Sequence, residues 1–121
     1  MKKLIPLFFL TLFFLSCNSQ EGLKSVSTQE LKVLLEKENI QLLDVRTPKE
    51  VQLGFIETAK FANLFDADFP VKAANSLDKN KPVYVYCRSG RRSAKASEVL
   101  QEKGFTVINV LGGYNQWIKE K

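Results

Sequence analysis

The sequence predicts an α/β fold with a central, mainly parallel sheet of four to five strands and helices on both faces. Helical and extended patterns alternate along the chain. The extended segments are apolar on both faces, as in strands that helices cover on each side. The chain has 121 residues, 45% of them apolar, which suffices for one small domain with a core of its own.

The N-terminal residues have the pattern of an export signal. Lys2 and Lys3 precede an apolar run over residues 4–15, which is too short to span a bilayer. The letters that end at Cys17, Phe-Leu-Ser-Cys, resemble the lipobox of bacterial lipoproteins, whose cysteine is lipidated and becomes the new N-terminus. The alternative is a plain secretory signal with a chance cysteine.

We therefore expect a lipoprotein signal peptide at residues 1–16, a lipid on Cys17, a polar tether over residues 17–25 and the folded domain at residues 26–121. The expected location is the bacterial cell envelope, facing the periplasm. Membrane contact is expected through the lipid anchor alone.

Caps and apolar spacing predict the first elements of the domain. Residues 27–30 form a capping box that starts a helix over residues 28–38, whose leucines repeat at intervals of three and four. A short apolar run at residues 40–45 predicts a buried strand. A second capping box at residues 47–50 starts a short helix that ends at Gly54.

The rest of the chain continues the alternation of strands and helices. Pro82 opens a segment of β-branched and aromatic residues, which is the clearest strand signal. The predicted elements are, in order, a strand at 60–63, a helix at 68–77, a strand at 83–86, a helix at 93–103, a strand at 106–110, a glycine turn at 112–113 and a helix at 114–119.

The turn after the strand at residues 83–86 is the predicted site, because ligands of parallel sheets bind at the carboxyl ends of strands. A helix start, its dipole and three arginines surround Cys87, and such surroundings favour the thiolate. We expect Cys87 to be the nucleophile, with Gly90 allowing a positive φ or a close backbone approach. The expected substrate-binding residues are Arg88, Ser89, Gly90, Arg91, Arg92 and Ser93. The alternative is a structural cysteine beside solvated arginines.

Composition excludes several kinds of site. The chain has no histidine and only two cysteines, which rules out a Cys-His or Ser-His nucleophile pair, a structural zinc site and a histidine-ligated haem. We expect neither a metal nor a cofactor. The net charge of +5 is a weak signal for nucleic acid, and we expect no such partner. If Cys17 carries a lipid, Cys87 is the sole remaining thiol and no internal disulfide forms.

Residues 87–93 resemble the active-site loop of rhodanese-like sulfurtransferases. Residues 44–50, Asp-Val-Arg-Thr-Pro-Lys-Glu, are similar to the upstream Asp-Val-Arg-x-x-x-Glu element of that family. The similarity continues through Gly-Phe-Ile at residues 54–56 and Gly-Gly-Tyr-x-x-Trp at residues 112–117. The second residue of Gly-Phe-Ile is usually histidine in the family, and the position of Thr58 is usually glycine.

This resemblance implies a single catalytic domain. It would transfer a sulfane sulfur from a small anionic donor such as thiosulfate, through a Cys87 persulfide, to a thiol, cyanide or a protein. Sulfite leaves as a stable anion, so the step needs no general acid. Arg88 and Arg91 would bind the dianionic donor.

Three further residues are predicted to support the loop. Asp44 and Glu50 are expected to orient Arg46 or Arg92 by ion pairing. The alternative for both carboxylates is a solvated surface position.

Two other functions remain open. Cysteine-dependent phosphatases have five residues between cysteine and arginine, whereas four separate Cys87 from Arg92, one too few for a tetrahedral phosphoryl group. The non-enzymatic alternative is an envelope module that carries sulfur or senses redox state through Cys87 without efficient turnover. Steady-state thiocyanate formation from thiosulfate and cyanide distinguishes an enzyme from such a module.

Overall fold

A computed structural model describes residues 22–121, so the predicted signal peptide and Cys17 lie outside the described residues. Within this range, no helix combines the length and the apolar character that crossing a membrane requires. The elements are β1 (Lys24–Val26), α1 (Thr28–Lys37), β2 (Gln41–Asp44), α2 (Pro48–Gln52), β3 (Lys60–Phe61), α3 (Phe69–Ser76), β4 (Val83–Tyr86), α4 (Arg91–Glu102), β5 (Val107–Val110) and α5 (Gly113–Lys119).

The five strands form one sheet in the order β1-β5-β4-β2-β3, and every pairing is parallel. The central strands β2 and β4 pair in register, with Leu43 opposite Val85. Because all strands run in the same direction, their carboxyl ends lie at the same end of the sheet, and there β4 leads into Cys87. The predicted α/β fold is confirmed, with the sheet at the upper end of the expected strand count.

Helices cover both faces of the sheet, as predicted. On one face, Leu43 and Val85 pack with Ala73 of α3 and with Ala96 and Leu100 of α4. On the other face, the core contains Leu31 of α1 together with Leu42, Tyr86, Val110 and Ile56, and Trp117 of α5 packs against it. Alternate residues of β2 and β4 therefore belong to different cores, which is why these strands read as continuous apolar runs.

Both predicted capping boxes are present. The Ser27 hydroxyl accepts from the amide of Glu30 at 3.0 Å, and the Glu30 carboxylate accepts from the amide of Ser27 at 2.8 Å. Thr47 and Glu50 make the same pair of bonds at the start of α2. These reciprocal bonds satisfy amides that the helix itself cannot.

Strand β1 was not predicted. Lys24 and Ser25, which the sequence analysis assigned to the tether, lie in this strand and pair with Ile108 and Asn109 of β5. The tether prediction is therefore corrected at its carboxyl end. This edge strand has three residues, and the first two are exposed. It therefore has no alternating apolar pattern from which a strand could be predicted.

Thr58 is the one non-glycine residue with a positive φ, 74°, among the described residues. A β-branched side chain is strained in this region of backbone conformation, and glycine is not. The glycine that the rhodanese-like family usually has here therefore suits this backbone better than threonine does.

We predict that Thr58→Gly raises the free energy of unfolding by about 1 kcal/mol, because relief of strain exceeds the entropy that glycine adds to the unfolded chain. Urea unfolding measures the change. Thr106→Gly is the matched control: Thr106 is also exposed but has no positive φ, so glycine there should lower stability. Equal losses in both variants would contradict the strain at Thr58.

Candidate active site

Cys87 follows β4 directly and is 1% exposed. Its side chain packs into the core on the face that α3 and α4 cover. The amide of Gly90 donates a hydrogen bond to its sulfur at 3.0 Å, and the Ser93 hydroxyl lies 3.5 Å from the same atom. The loop thus places the amide of Gly90 and the hydroxyl of Ser93 against the sulfur.

These donors decide the ionisation of the thiol. Burial raises the pKa of Cys87, but its hydrogen bond with the Ser93 hydroxyl and those from the amides of Ser93, Gly90 and Ser89 together lower it more. The net result is a pKa below the ordinary value for cysteine. The loop therefore favours the thiolate, which is the nucleophilic form.

Gly90 gives the loop its shape. It has a φ of 114° and stands immediately before α4, which begins two residues earlier than predicted. Its carbonyl accepts from the Ser93 hydroxyl at 3.1 Å. Of the two predicted reasons for glycine here, the structure shows the positive φ, which side chains rarely adopt, while a Cβ would meet only the amide nitrogen of Gly112, at 3.7 Å.

The N-terminus of α5 holds the loop from outside. The amide of Tyr114 donates to the carbonyl of Cys87 at 2.8 Å, and the amide of Asn115 donates to the carbonyl of Arg88 at 3.0 Å. Gly113 makes this approach feasible, because a Cβ there would lie 2.5 Å from the Cys87 carbonyl oxygen. Only a turn was predicted here, and the two adjacent glycines before a helix were the available signal.

Arg92 is partly buried and pairs with Glu50. Two nitrogens of its guanidinium lie 2.7 and 2.8 Å from the two carboxylate oxygens. The ring of Phe65 lies 5.5 Å from the same guanidinium. The predicted pairing of Arg92 is therefore found with Glu50 and not with Asp44, and Phe65 is a contact that sequence analysis missed.

Asp44 and Arg46 form a buried ion pair. Their side chains are 0% and 3% exposed, and the closest contact is 2.7 Å. Burial lowers the pKa of Arg46, but hydrogen bonds and charge from Asp44 raise it more, so the guanidinium stays protonated. The alternative of a solvated surface carboxylate is wrong for Asp44.

Arg46 also connects its segment to α5. It donates to the carbonyl of Gly54 at 2.8 Å, and its guanidinium lies 4.4 Å from the ring centre of Tyr114. Tyr114 is the residue whose amide holds the Cys87 carbonyl. The buried ion pair therefore supports the loop indirectly, through the first turn of α5.

The remaining predicted residues lie at the surface. Arg88, Ser89 and Arg91 are exposed, and neither arginine makes an ion pair within residues 22–121. The same residues contain no cluster of carboxylate and thiol side chains placed to hold a metal ion. The site thus combines a buried sulfur, a backbone amide that donates to it and two exposed arginines nearby in the loop, an arrangement suited to binding an anion.

Known proteins resemble this chain in sequence and in fold. The model of the rhodanese-like domain family matches residues 27–120. YtwF of Bacillus subtilis, provisionally named a sulfurtransferase, is 40% identical over 96 residues, 78% of this chain and 90% of YtwF. YrkF of the same bacterium, provisionally named a sulfur carrier protein, is 32% identical over 105 residues, 83% of this chain and 55% of YrkF.

A solved structure has the same fold. The crystal structure of a rhodanese-like domain protein from Staphylococcus aureus superposes with a TM-score of 0.72 at 40% sequence identity. The alignment covers 78% of this chain and 91% of that one.

We predict that Gly113→Ala raises the pKa of the Cys87 thiol and slows its alkylation by iodoacetamide at neutral pH. The added methyl group would push the Cys87 carbonyl away and turn the loop amides from the sulfur. Gly104→Ala is the control, because a side chain is also strained at its φ of 96° while the nearest atoms belong to the flexible Lys79 side chain. Both variants should lose stability, but an unchanged pH profile of alkylation in Gly113→Ala would refute this role of α5.

The Glu50–Arg92 pair predicts a pH-dependent stability. Hydrogen bonds that Glu50 accepts from Arg92 lower the pKa of the Glu50 carboxyl to about 2, although burial acts in the opposite direction. The folded protein favours the charged carboxylate. The pair therefore makes its full contribution to the free energy of unfolding above about pH 4.5, and this contribution is lost as the pH falls toward 2. We expect Glu50→Gln to cost about 1 to 2 kcal/mol at pH 7, because water reaches part of the pair.

Urea unfolding of both proteins between pH 7 and pH 2 tests this expectation. The difference in unfolding free energy should shrink as the pH falls through the acid range. Glu57→Gln, at an exposed position without an ion pair in the described chain, is the control and should change little. A difference that stays constant with pH would count against the pair.

Proposed function

The chain belongs to the rhodanese-like domain family, and we propose that it is a sulfurtransferase that moves a sulfane sulfur from thiosulfate, or a similar anionic donor, to a thiophilic acceptor through a persulfide on Cys87. The observation that carries the proposal is the buried sulfur of Cys87, which accepts a hydrogen bond from the amide of Gly90 at the start of α4. Two relatives that bear sulfur-transfer names support the same class of reaction.

The first step needs only a thiolate and an anion site. The sulfur of Cys87 attacks the outer sulfur of thiosulfate, and the bond between the two thiosulfate sulfurs breaks. The sulfonate group takes the electron pair of that bond and leaves as sulfite. The persulfide that forms is again an anion, so the amides of Gly90 and Ser93 suit the reactant and the product alike. No proton has to be delivered, which fits a chain without histidine.

The second step returns the nucleophile. The acceptor attacks the outer sulfur of the persulfide, and the electron pair of the breaking bond returns to Cys87. Arg88 and Arg91 are exposed at the rim and are available to bind the dianionic donor. Arg92 is engaged with Glu50 and is assigned to support of the loop.

A second candidate function is a sulfur carrier or redox sensor that uses Cys87 without efficient turnover. The similarity to YrkF favours it, although this chain spans about half of the length of that protein. Such a module would take up sulfur but form thiocyanate slowly from thiosulfate and cyanide. The phosphatase alternative has weaker support, because four residues and not five separate Cys87 from Arg92.

For the location of the protein, we propose attachment to a bacterial membrane through a lipid on Cys17, with the domain facing the periplasm. The apolar run that ends at Ser16 and Cys17 supports this proposal. A lipid there would also remove the second thiol of the chain, leaving Cys87 as the sole sulfur nucleophile.

We predict that Cys87 alone carries the transferred sulfur. Incubation of the purified protein with thiosulfate should increase its intact mass by one sulfur atom, and cyanide should reverse the increase. Cys87→Ser should show neither change, because a hydroxyl in this loop stays un-ionised near neutral pH. Absence of the adduct in the wild type with every sulfane donor tried, or its persistence in the variant, would overturn the proposed function.

We predict that cells expressing the full chain incorporate a labelled fatty-acid analogue into it, and that Cys17→Ser abolishes the label. Cys87→Ser is the matched control and should keep the label, because its thiol lies in the folded domain. If the wild-type chain takes up no label, the proposed anchor is wrong and a plain secretory signal remains.

A further inference from the structure

An apolar patch lies on the outside of the face that α1 and α5 cover. Leu53 is 88% exposed and lines a cleft together with Ile118, which is 46% exposed. Phe55 is 47% exposed and lines a groove together with Trp117, the residue before Ile118. The ring centres of Phe55 and Phe61 lie 5.1 Å apart. These five residues, called the apolar patch below, form one surface that is open to solvent within the described chain.

The side chains of the apolar patch are of the kind that binds at a bilayer surface. The rings of tryptophan and phenylalanine suit the boundary between headgroups and acyl chains, and exposed leucine and isoleucine add apolar area that can insert there. A patch of this kind on a monomer marks an interaction site more often than a chance exposure.

The charges beside the patch favour a zwitterionic surface. The groove at Trp117 is also lined by basic and acidic side chains in equal number, namely Lys32, Lys121, Glu36 and Glu57. A phospholipid headgroup that carries a phosphate and an ammonium group offers a partner to both kinds. A partner selected by one sign of charge would instead be repelled by half of this rim.

The proposed anchor would keep the apolar patch within reach of a bilayer. Residues 18–23 connect Cys17 to Lys24, the first residue of β1. At about 3.5 Å per residue, this connection spans at most about 25 Å. Five strands at about 4.8 Å spacing make a sheet roughly 19 Å wide, so the domain can lie down on its α1 and α5 face. Because the connection is short, even a weak contact with the bilayer is favoured.

We propose that the apolar patch docks the domain on the surface of the bilayer to which the chain is anchored. The inference rests on the proposed anchor. It adds a second membrane contact to the lipid on Cys17, through which alone such contact was expected. Cys87 packs on the other face of the sheet, which α3 and α4 cover, so docking leaves that face directed at the solution.

Trp117 is the only tryptophan of the chain, so its fluorescence reports on the patch. The protein is purified in detergent from the membranes of expressing cells and reconstituted into phosphatidylcholine vesicles, with and without bromine on the acyl chains close to the headgroup. Flotation of the vesicles confirms attachment. Bromine quenches a tryptophan that it contacts. We expect it to remove about half or more of the emission of Trp117, because docked side chains reach ~5 to 10 Å into the interface.

Two variants locate the contact. Leu53→Asp should restore most of the emission, since a charge at this exposed position opposes insertion and removes no core packing. Val71→Asp is the matched control, because Val71 is an exposed apolar residue of α3, on the other face, and the quenching should persist. In a variant with Trp117→Phe and Val71→Trp, bromine should leave the emission unchanged.

Each outcome supports or overturns the docked patch. If the protein does not float with the vesicles, the anchor and the docked patch both fail. If it floats but bromine does not quench Trp117, the domain stands away from the bilayer and the anchor alone holds it. The patch is also excluded if Leu53→Asp and Val71→Asp change the quenching equally, or if the tryptophan at position 71 is quenched as well.

The test also identifies a different occupant. If Trp117 is not quenched but its emission shifts with the amount of protein per vesicle, a second copy of the chain covers the patch, and the bilayer does not. Sulfur uptake by Cys87 is measured by intact mass in the same variants, so loss of docking with normal uptake leaves the proposed sulfurtransferase intact.

Discussion

The structure of the active site depends on one constraint, which is that the amides of the loop after β4 point inward at the sulfur of Cys87. When the amides of a loop point inward, the carbonyls of the same stretch point outward. Those carbonyls then need hydrogen-bond donors from another part of the protein. The first amides of α5 are those donors, for the carbonyls of Cys87 and Arg88. Two helix starts therefore meet at the loop. At the start of α4, the amide of Gly90 donates to the sulfur, and the first amides of α5 donate to the loop carbonyls that face outward.

The segment after β2 stabilises both helix starts at once. Arg46, held by buried Asp44, contacts the ring of Tyr114 in α5, and Glu50 binds Arg92 in α4. Glu50 also caps α2, so its carboxylate serves two purposes from one position. Removal of one partner of a buried ion pair leaves an uncompensated charge, which destabilises a protein more than the intact pair stabilises it. The acidic and basic residues of this short segment thus belong to the architecture of the loop.

Local signals in the sequence were sufficient for most elements and for the position of Cys87 between a buried strand and a helix start. Caps, apolar runs and a cysteine between a strand and a glycine-containing helix start depend on residues close in the chain, and such patterns can be read directly. Contacts between distant segments were not readable in this way. The approach of Gly113 to Cys87, the contact of Phe65 with Arg92 and the choice of Glu50 over Asp44 as its partner depend on packing. Strand β1 was missed for another reason, because at the edge of a sheet three residues need only backbone pairing.

The position of β1 has a consequence for how this domain is joined to other structures. Lys24 pairs with Ile108, which in turn pairs with Tyr84, three residues before Cys87. At about 3.3 Å per residue, the chain enters β1 roughly 10 Å from the level of Cys87, measured along the strands toward their amino ends. The described chain therefore joins the sheet at the end opposite to the loop of Cys87, and β1 fixes that point of attachment by backbone pairing.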